Sequence, residues 1–174
     1  IEAYGPPEEI VVELARDLKR SLDEREEVQR RQYENQKKNE QRQQKIDELI
    51  AAERARGNPA WRPPRDALLR LRLWEELNTD AGDRKCVYSG QTISMRMLLD
   101  DSQVEIEHIL PFATSLDDGP SNLTVSLRTA NREKAKRTPW EAFGRRAEWD
   151  AIMLRVSALP KAKQWRFRED AVDL

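Results

Sequence analysis

The sequence has one cysteine, Cys86, and one histidine, His108, in 174 residues. A single thiol excludes an internal disulfide and a cysteine-built zinc site, and it fits a reducing intracellular setting. No apolar run approaches the ~20 residues of a membrane helix, no secretory signal pattern is visible, and there are no internal repeats. Apolar residues make up only 38% and charged residues 36%, so material for a core is limited. The length suits one ordinary domain, or a small domain with attached helices. Thirty-one basic residues against 32 acidic ones give a net charge of -1, which excludes a uniformly basic nucleic-acid coat but leaves room for local patches. Ile1 to Gly5 read as the interior of a longer protein rather than a natural start.

The charges are unevenly placed. Glu13 to Arg56 carries 12 basic and 11 acidic residues; Asp100 to Asp118 carries six acidic and no basic ones; Thr124 to Arg146 carries seven basic and two acidic. An acidic stretch followed by a basic one suits a cation beside a polyanion, and equally an ordinary surface.

Ile10-Val11-Val12 is a short apolar run, readable as a buried strand or the beginning of a helix. Leu14, Leu18 and Leu22 then recur every four residues as a helical stripe. Between Gln29 and Lys45 only Tyr33 interrupts a wholly polar stretch, which predicts a connector over Asp23 to Arg56, helical in part, with a coiled coil as the second reading. Gly57-Asn58-Pro59 ends it. Asp66 is placed to cap a helix carrying Leu68, Leu71, Trp74 and Leu77. Lys85 to Tyr88, followed by Ser89-Gly90, reads as a short strand and turn. Leu98 and Leu99 fall in a short helix. Val104 to His108 alternates as a strand, with Val104 and Ile106 on one face and Glu105 and Glu107 on the other. Asp117-Asp118-Gly119-Pro120 is a turn signal. Leu123, Val125 and Leu127 mark a second strand, Ala130 to Arg137 a basic helical segment, and Thr138-Pro139-Trp140-Glu141 a helix start with a capping box. Trp149, Ile152, Met153 and Val156 stripe a further helix. Cys86, Trp74 and Trp149 read as core residues; Trp165 and Phe167, among basic neighbours, suit packing or base stacking.

The order is carboxylate-histidine on a strand (Glu107-His108), Asn122 before the second strand and Asn131 on the helix. This pattern resembles the HNH nuclease module, the ββα-metal finger. Its spacings, with Ile109-Leu110-Pro111, Ser115-Leu116-Asp117-Asp118 and Asn131-Arg132-Glu133-Lys134, are similar to the RNA-guided endonucleases of type II CRISPR systems. Lys85 to Gly90 and Arg137-Thr138-Pro139 resemble the compact subtype. Ile10 to Arg16 resembles the strand of the split RuvC-like domain that precedes the HNH insert.

The resemblance implies a helix-rich α+β fold with a small ββα-metal core flanked by helical linkers. Residues 1–22 would belong to the RuvC-like domain, 23–60 to a helical linker, 61–144 to the nuclease core, and 145–174 to C-terminal helices and a linker. It implies a DNA endonuclease acting on the strand paired to a guide RNA, with sequence choice left to base pairing. The partners would be the heteroduplex and, through a parent protein, the guide; the chain itself would be monomeric and would sit in a prokaryotic cytoplasm.

Chemistry assigns the roles. Neutral His108 is the natural base for an attacking water, and the oxygens of Glu107 and Asn131 suit Mg²⁺ or Mn²⁺. Lys134, three residues after Asn131 on the same helix face, is placed to meet phosphate. Asn122 would hold the loop or orient the histidine, and Glu105 would support the metal site or serve as a secondary ligand. Glu13 resembles the metal-binding glutamate of the RuvC-like site, which is incomplete here without its partner carboxylates. Relatives usually carry Asp directly before the histidine, so Glu107, longer by one methylene, implies an altered metal preference with activity retained. Two other readings stay open: a free-standing HNH nicking or homing enzyme, which the RuvC-like block opposes, and a non-catalytic helical interaction module, which a missing metal site would favour.

Overall fold

The computed structural model describes residues 22–172, so the Ile10 to Arg16 block and Glu13 lie outside the described residues. α1 (Leu22–Ala55) is one uninterrupted helix of 34 residues, not the partly helical connector that the polar sequence suggested. Its exposed face is held by pairs one turn apart, including Arg31 with Glu27, Gln36 with Glu40 and Gln43 with Asp47. The chain divides into Ile1–Glu40 and Gln41–Leu174.

Within the second unit, the last turns of α1 are fastened at two points. Arg42 and Lys45 both pair with Glu75 at 2.8 Å. Glu53, fully buried, accepts hydrogen bonds from Asn58 and Arg56. Those bonds, led by Asn58, hold its carboxyl below the ordinary value against the opposing effect of burial.

α2 (Ala67–Glu75) buries Leu71, Leu73 and Trp74. Asp66 precedes it but makes no side-chain cap, contrary to expectation; its backbone is not in the extended geometry that a capping carboxylate needs. The carboxylate instead pairs with Arg70 at 2.9 Å. Arg70, itself buried, also donates to the carbonyls of Leu98 and Val104 at 3.1 and 2.8 Å, tying α2 to α3 (Met95–Leu98) and to the first strand. Residues 85–92 form a tight turn joined by one bridge, Lys85 to Thr92, where a short strand was expected. Gly90 turns it at φ +73°, and an added Cβ would stand 3.0 Å from the Arg155 guanidinium.

β1 (Val104–His108) and β2 (Leu123–Leu127) form an antiparallel pair with Glu107 opposite Thr124 and His108 opposite Leu123. β2 is buried along its whole length. Between the strands lie α4 (Phe112–Ser115) and a 3-10 turn, Pro120–Asn122. α5 (Arg128–Lys134) follows β2 directly and packs on both strands. It stops at Ala135, whose backbone has φ +55°. α6 (Pro139–Phe143) begins with the predicted capping box: Thr138 Oγ1 accepts from Glu141 N at 3.1 Å and Glu141 Oε2 accepts from Thr138 N at 2.8 Å.

α7 (Trp149–Val156), α8 (Lys161–Gln164) and a last 3-10 turn follow, and Ile152, Val156 and Phe167 are buried. Phe167 is fully buried, and Lys163 donates to the Leu123 carbonyl at 2.5 Å. Cys86 and Trp74 lie in the core as expected. Trp165 stacks under Arg166 at 4.5 Å, and Phe167 lies 6.2 Å from Tyr88, which favours packing over base stacking. The result is an α+β fold, rich in helix, around a two-stranded sheet. Among the described residues no helix is long and apolar enough to cross a membrane.

Candidate active site

The end of β1, the loop after it and the end of α5 enclose a cleft of about 360 Å³ lined by Glu107, His108, Phe112, Asn131 and Lys134 among others. Strand pairing places the first two residues and the β2–α5 junction places the last two. Residues 23 or more apart in the sequence therefore meet because α5 folds back over β1 with almost no linker.

Glu107 is not the solvated strand residue that alternation suggested. It is 3% exposed. Tyr88, in the turn at 85–92, donates its hydroxyl to Glu107 Oε1, and Lys134 Nζ lies 3.1 Å from Oε2. Burial pushes the Glu107 carboxyl above its ordinary value, while Lys134 and the Tyr88 hydroxyl oppose that rise. Tyr88 is raised well above its own ordinary value by the same burial and by the Glu107 charge. Its ring is held by Phe143, stacked at 5.3 Å.

Lys134 lies deeper than expected. Only 2% exposed, it donates to the carbonyls of His108 and Arg137 at 3.0 and 3.1 Å. The lysine predicted to meet phosphate is thus a fixed internal charge against Glu107, because α5 carries its side chain down onto β1. Buried ammonium groups need such a set of oxygens to offset desolvation.

Asn131 donates from Nδ2 to Glu105 Oε1 at 2.7 Å, leaving its carbonyl oxygen as the atom available to ligate. Glu105 also faces Arg128 at 3.4 Å, so it positions Asn131. Asn122 is fully buried. Its Oδ1 accepts from Leu110 N at 2.9 Å, and its Nδ2 donates to the carbonyls of Leu110 and Asp117 at 2.9 and 2.8 Å. These bonds tie Leu110 to the turn at Asp117. His108 exposes a third of its side chain and pairs through Nε2 with Asp118 Oδ1 at 2.7 Å, while Phe112 lies 5.7 Å from its ring.

A hard divalent cation fits this donor set on its chemistry: the Glu107 carboxylate and the Asn131 carboxamide oxygen are hard oxygen donors, with Tyr88 on Glu107 Oε1 and Lys134 Nζ 3.1 Å from Oε2. Among the described residues no three His, Cys, Asp or Glu side chains converge on a metal-sized site. Protein ligation would therefore rest on one carboxylate and one carboxamide, which leaves positions for water and phosphate. Tyr88 and Asp118 are the site residues that sequence reasoning missed. Tyr88 was visible as part of a strand pattern and of the Lys85 to Gly90 block, and Asp118 as a turn residue within the Ser115 to Asp118 block, neither with a role of its own.

The profile described as HNH endonuclease matches residues 86–140, which contain the whole cleft. The CRISPR-associated endonuclease Cas9 1 of Streptococcus thermophilus is 32% identical over 144 residues, covering 82% of this chain and 12% of that protein. The CRISPR-associated endonuclease Cas9 of Campylobacter jejuni is 38% identical over 100 residues, covering 57% of this chain and 10% of that protein. The chain thus spans about a tenth of the length of these curated relatives. Among solved structures, Streptococcus thermophilus Cas9 in complex with the GGAA PAM is similar at a TM-score of 0.65 and 25% identity, covering 87% of this chain and 15% of that one. With the cleft, the sheet pairing and the helix all falling inside the matched residues, residues 86–140 form an HNH endonuclease domain, and the chain is similar over most of its length to the CRISPR-associated Cas9 endonucleases.

Proposed function

We propose that this chain is the part of a longer RNA-guided nuclease that hydrolyses a phosphodiester of the DNA strand paired to the guide. The observation that carries the reading is the meeting of Glu107, His108 and Asn131 in one cleft. His108, at the cleft rim, takes the proton of the attacking water. Glu107 and Asn131 would hold a hard divalent cation, Mg²⁺ or Mn²⁺. When bound, the cation supplies charge relief on the phosphate and the leaving 3′ oxygen. Lys134 fixes the carboxylate from below and keeps the cleft floor from carrying an uncompensated negative charge. Asn122 and Glu105 hold the loop and the carboxamide in place.

In this reading residues 61–144 form the catalytic core, 23–60 a helical linker, and 1–22 a piece of a RuvC-like domain in which Glu13 awaits partners elsewhere in the parent protein. The guide RNA reaches the module through that parent, the module is monomeric, and its setting is the prokaryotic cytoplasm. The relatives are endonucleases by name, and one is described bound to PAM DNA. The net charge of -1 agrees with a domain whose sequence choice is made by base pairing.

The test is nicking of plasmid and single-stranded DNA with Mg²⁺ or Mn²⁺, by the chain and by the full effector, each with and without His108→Ala. Metal-dependent cleavage of the guide-paired strand, lost in the variant, is expected. Undiminished cleavage of that strand by the variant effector would refute the assignment.

A further inference from the structure

The His108 ring is held by a carboxylate to which the sequence pattern assigns no role. Asp118 Oδ1 stands 2.7 Å from His108 Nε2. Asp118 is itself exposed, and an isolated surface pair of this kind contributes little to stability. Its backbone, however, is clamped on both sides. The Asp117 carbonyl accepts from Asn122, and the Asp117 carboxylate accepts from Gly119 N at 2.8 Å and from Arg166 at 2.7 Å. Asn122 N closes the turn onto the Gly119 carbonyl at 2.8 Å, and Arg166 reaches Ser121 at 3.1 Å. These five bonds hold the turn on both sides of Asp118, and from it the carboxylate reaches the imidazole.

We propose, resting on the nuclease reading above, that Asp118 is a positioning residue for His108. A neutral imidazole carries its proton on one nitrogen only. An accepting carboxylate at Nε2 keeps the proton there and leaves the Nδ1 lone pair as the one that can act as the base. The Phe112 ring lies 5.7 Å from the imidazole, tilted by 49°. The buried asparagine of the motif thereby acts on the histidine at a distance, through the Asp117 carbonyl and the direction of the next side chain. The contribution is to the tautomer and orientation of the base, not to the stability of the fold.

Because His108 is the only histidine, ¹⁵N-histidine labelling gives one imidazole to observe. The experiment records its ring nitrogens above the imidazole pKa in the chain, in Asp118→Ala and in Asp118→Glu, together with thermal unfolding and cleavage. The expected result is a proton confined to Nε2 in the parent chain, a mixture of both tautomers in Asp118→Ala, and partial restoration in Asp118→Glu. Cleavage by the effector should fall on the order of tenfold or more in the alanine variant with unfolding unchanged. Ring signals that do not respond to Asp118→Ala, or a proton on Nδ1 in the parent chain, would overturn the proposal. Faster cleavage by the alanine variant would overturn it too, by making Asp118 an inhibitory latch. If the nuclease reading alone were wrong, His108→Ala would leave cleavage intact while the tautomer result still stood.

Discussion

Asn122→Ala should be costly for a reason that can be worked from its contacts. The side chain is fully buried and satisfies the N–H and the C=O of Leu110, itself buried at 4% exposure. No backbone partner serves either group, because the chain at Leu110 has left the strand ladder and has not yet reached α4. Alanine strands one buried donor and one buried acceptor. At about 1.5 kcal/mol for each stranded group, the loss is about 3 kcal/mol. The third bond, to the Asp117 carbonyl, ends on a loop that water can reach, so its loss adds little. For a chain of this size that free energy lowers the thermal midpoint by about 6–12 °C. Asn122→Asp should be no milder. It keeps an acceptor for Leu110 N but turns a negative charge toward two carbonyl oxygens. Urea unfolding followed by fluorescence of the five tryptophans measures the effect. A loss below about 1 kcal/mol with an unchanged denaturant slope would refute the reasoning.

Two further outcomes follow from buried and half-buried charge. Lys134→Met leaves Glu107 buried without its counter-charge and should cost about 3–5 kcal/mol; Glu107→Gln in the same chain should restore part of it, and added Mn²⁺ should stabilise the single variant more than the parent. A single variant as stable as the parent in metal-free buffer would contradict this. Glu75 is pushed up by burial, yet the hydrogen bonds from Lys45 and Arg42 hold it below the ordinary glutamate value of 4.5. Asp117 is held below 3.8, chiefly by Arg166. Carboxyls lowered by folding stabilise above their ordinary values, and that stability is lost as pH falls through the lowered ones. The parent chain should therefore lose stability below about pH 4.5, and Glu75→Gln should narrow the gap in thermal midpoint between about pH 7 and about pH 3. An unaltered gap would count against these pairs.

Much of this was legible because local signals and fold agreed. The alternation at Val104–His108, the Thr138–Glu141 capping box and the stripe of α7 each name an element that the structure contains. The polar run of α1 was misleading, since pairs one turn apart stabilise a helix without any apolar stripe. Asp66 looks like a cap in sequence, but Arg70, one turn later, competes for the same carboxylate. At the site, residue types were readable and environments were not. Alternation put Glu107 beside Glu105 toward solvent, and only tertiary packing brings Tyr88 and Lys134 over it. Asp118 escaped for the same reason. A turn signal describes the backbone and says nothing of the ring ten residues away.

The claim on which the rest depends is that Glu107 and Asn131 hold a divalent cation beside His108. A Mn²⁺ titration followed on the ¹⁵N ring signals of the lone histidine tests it directly, since a bound paramagnetic ion broadens nuclei close to it. The account predicts saturable broadening of His108 in the parent chain and its loss in Glu107→Gln and in Asn131→Ala. Broadening that persists unchanged in both variants, or none in the parent at saturating Mn²⁺, would contradict it.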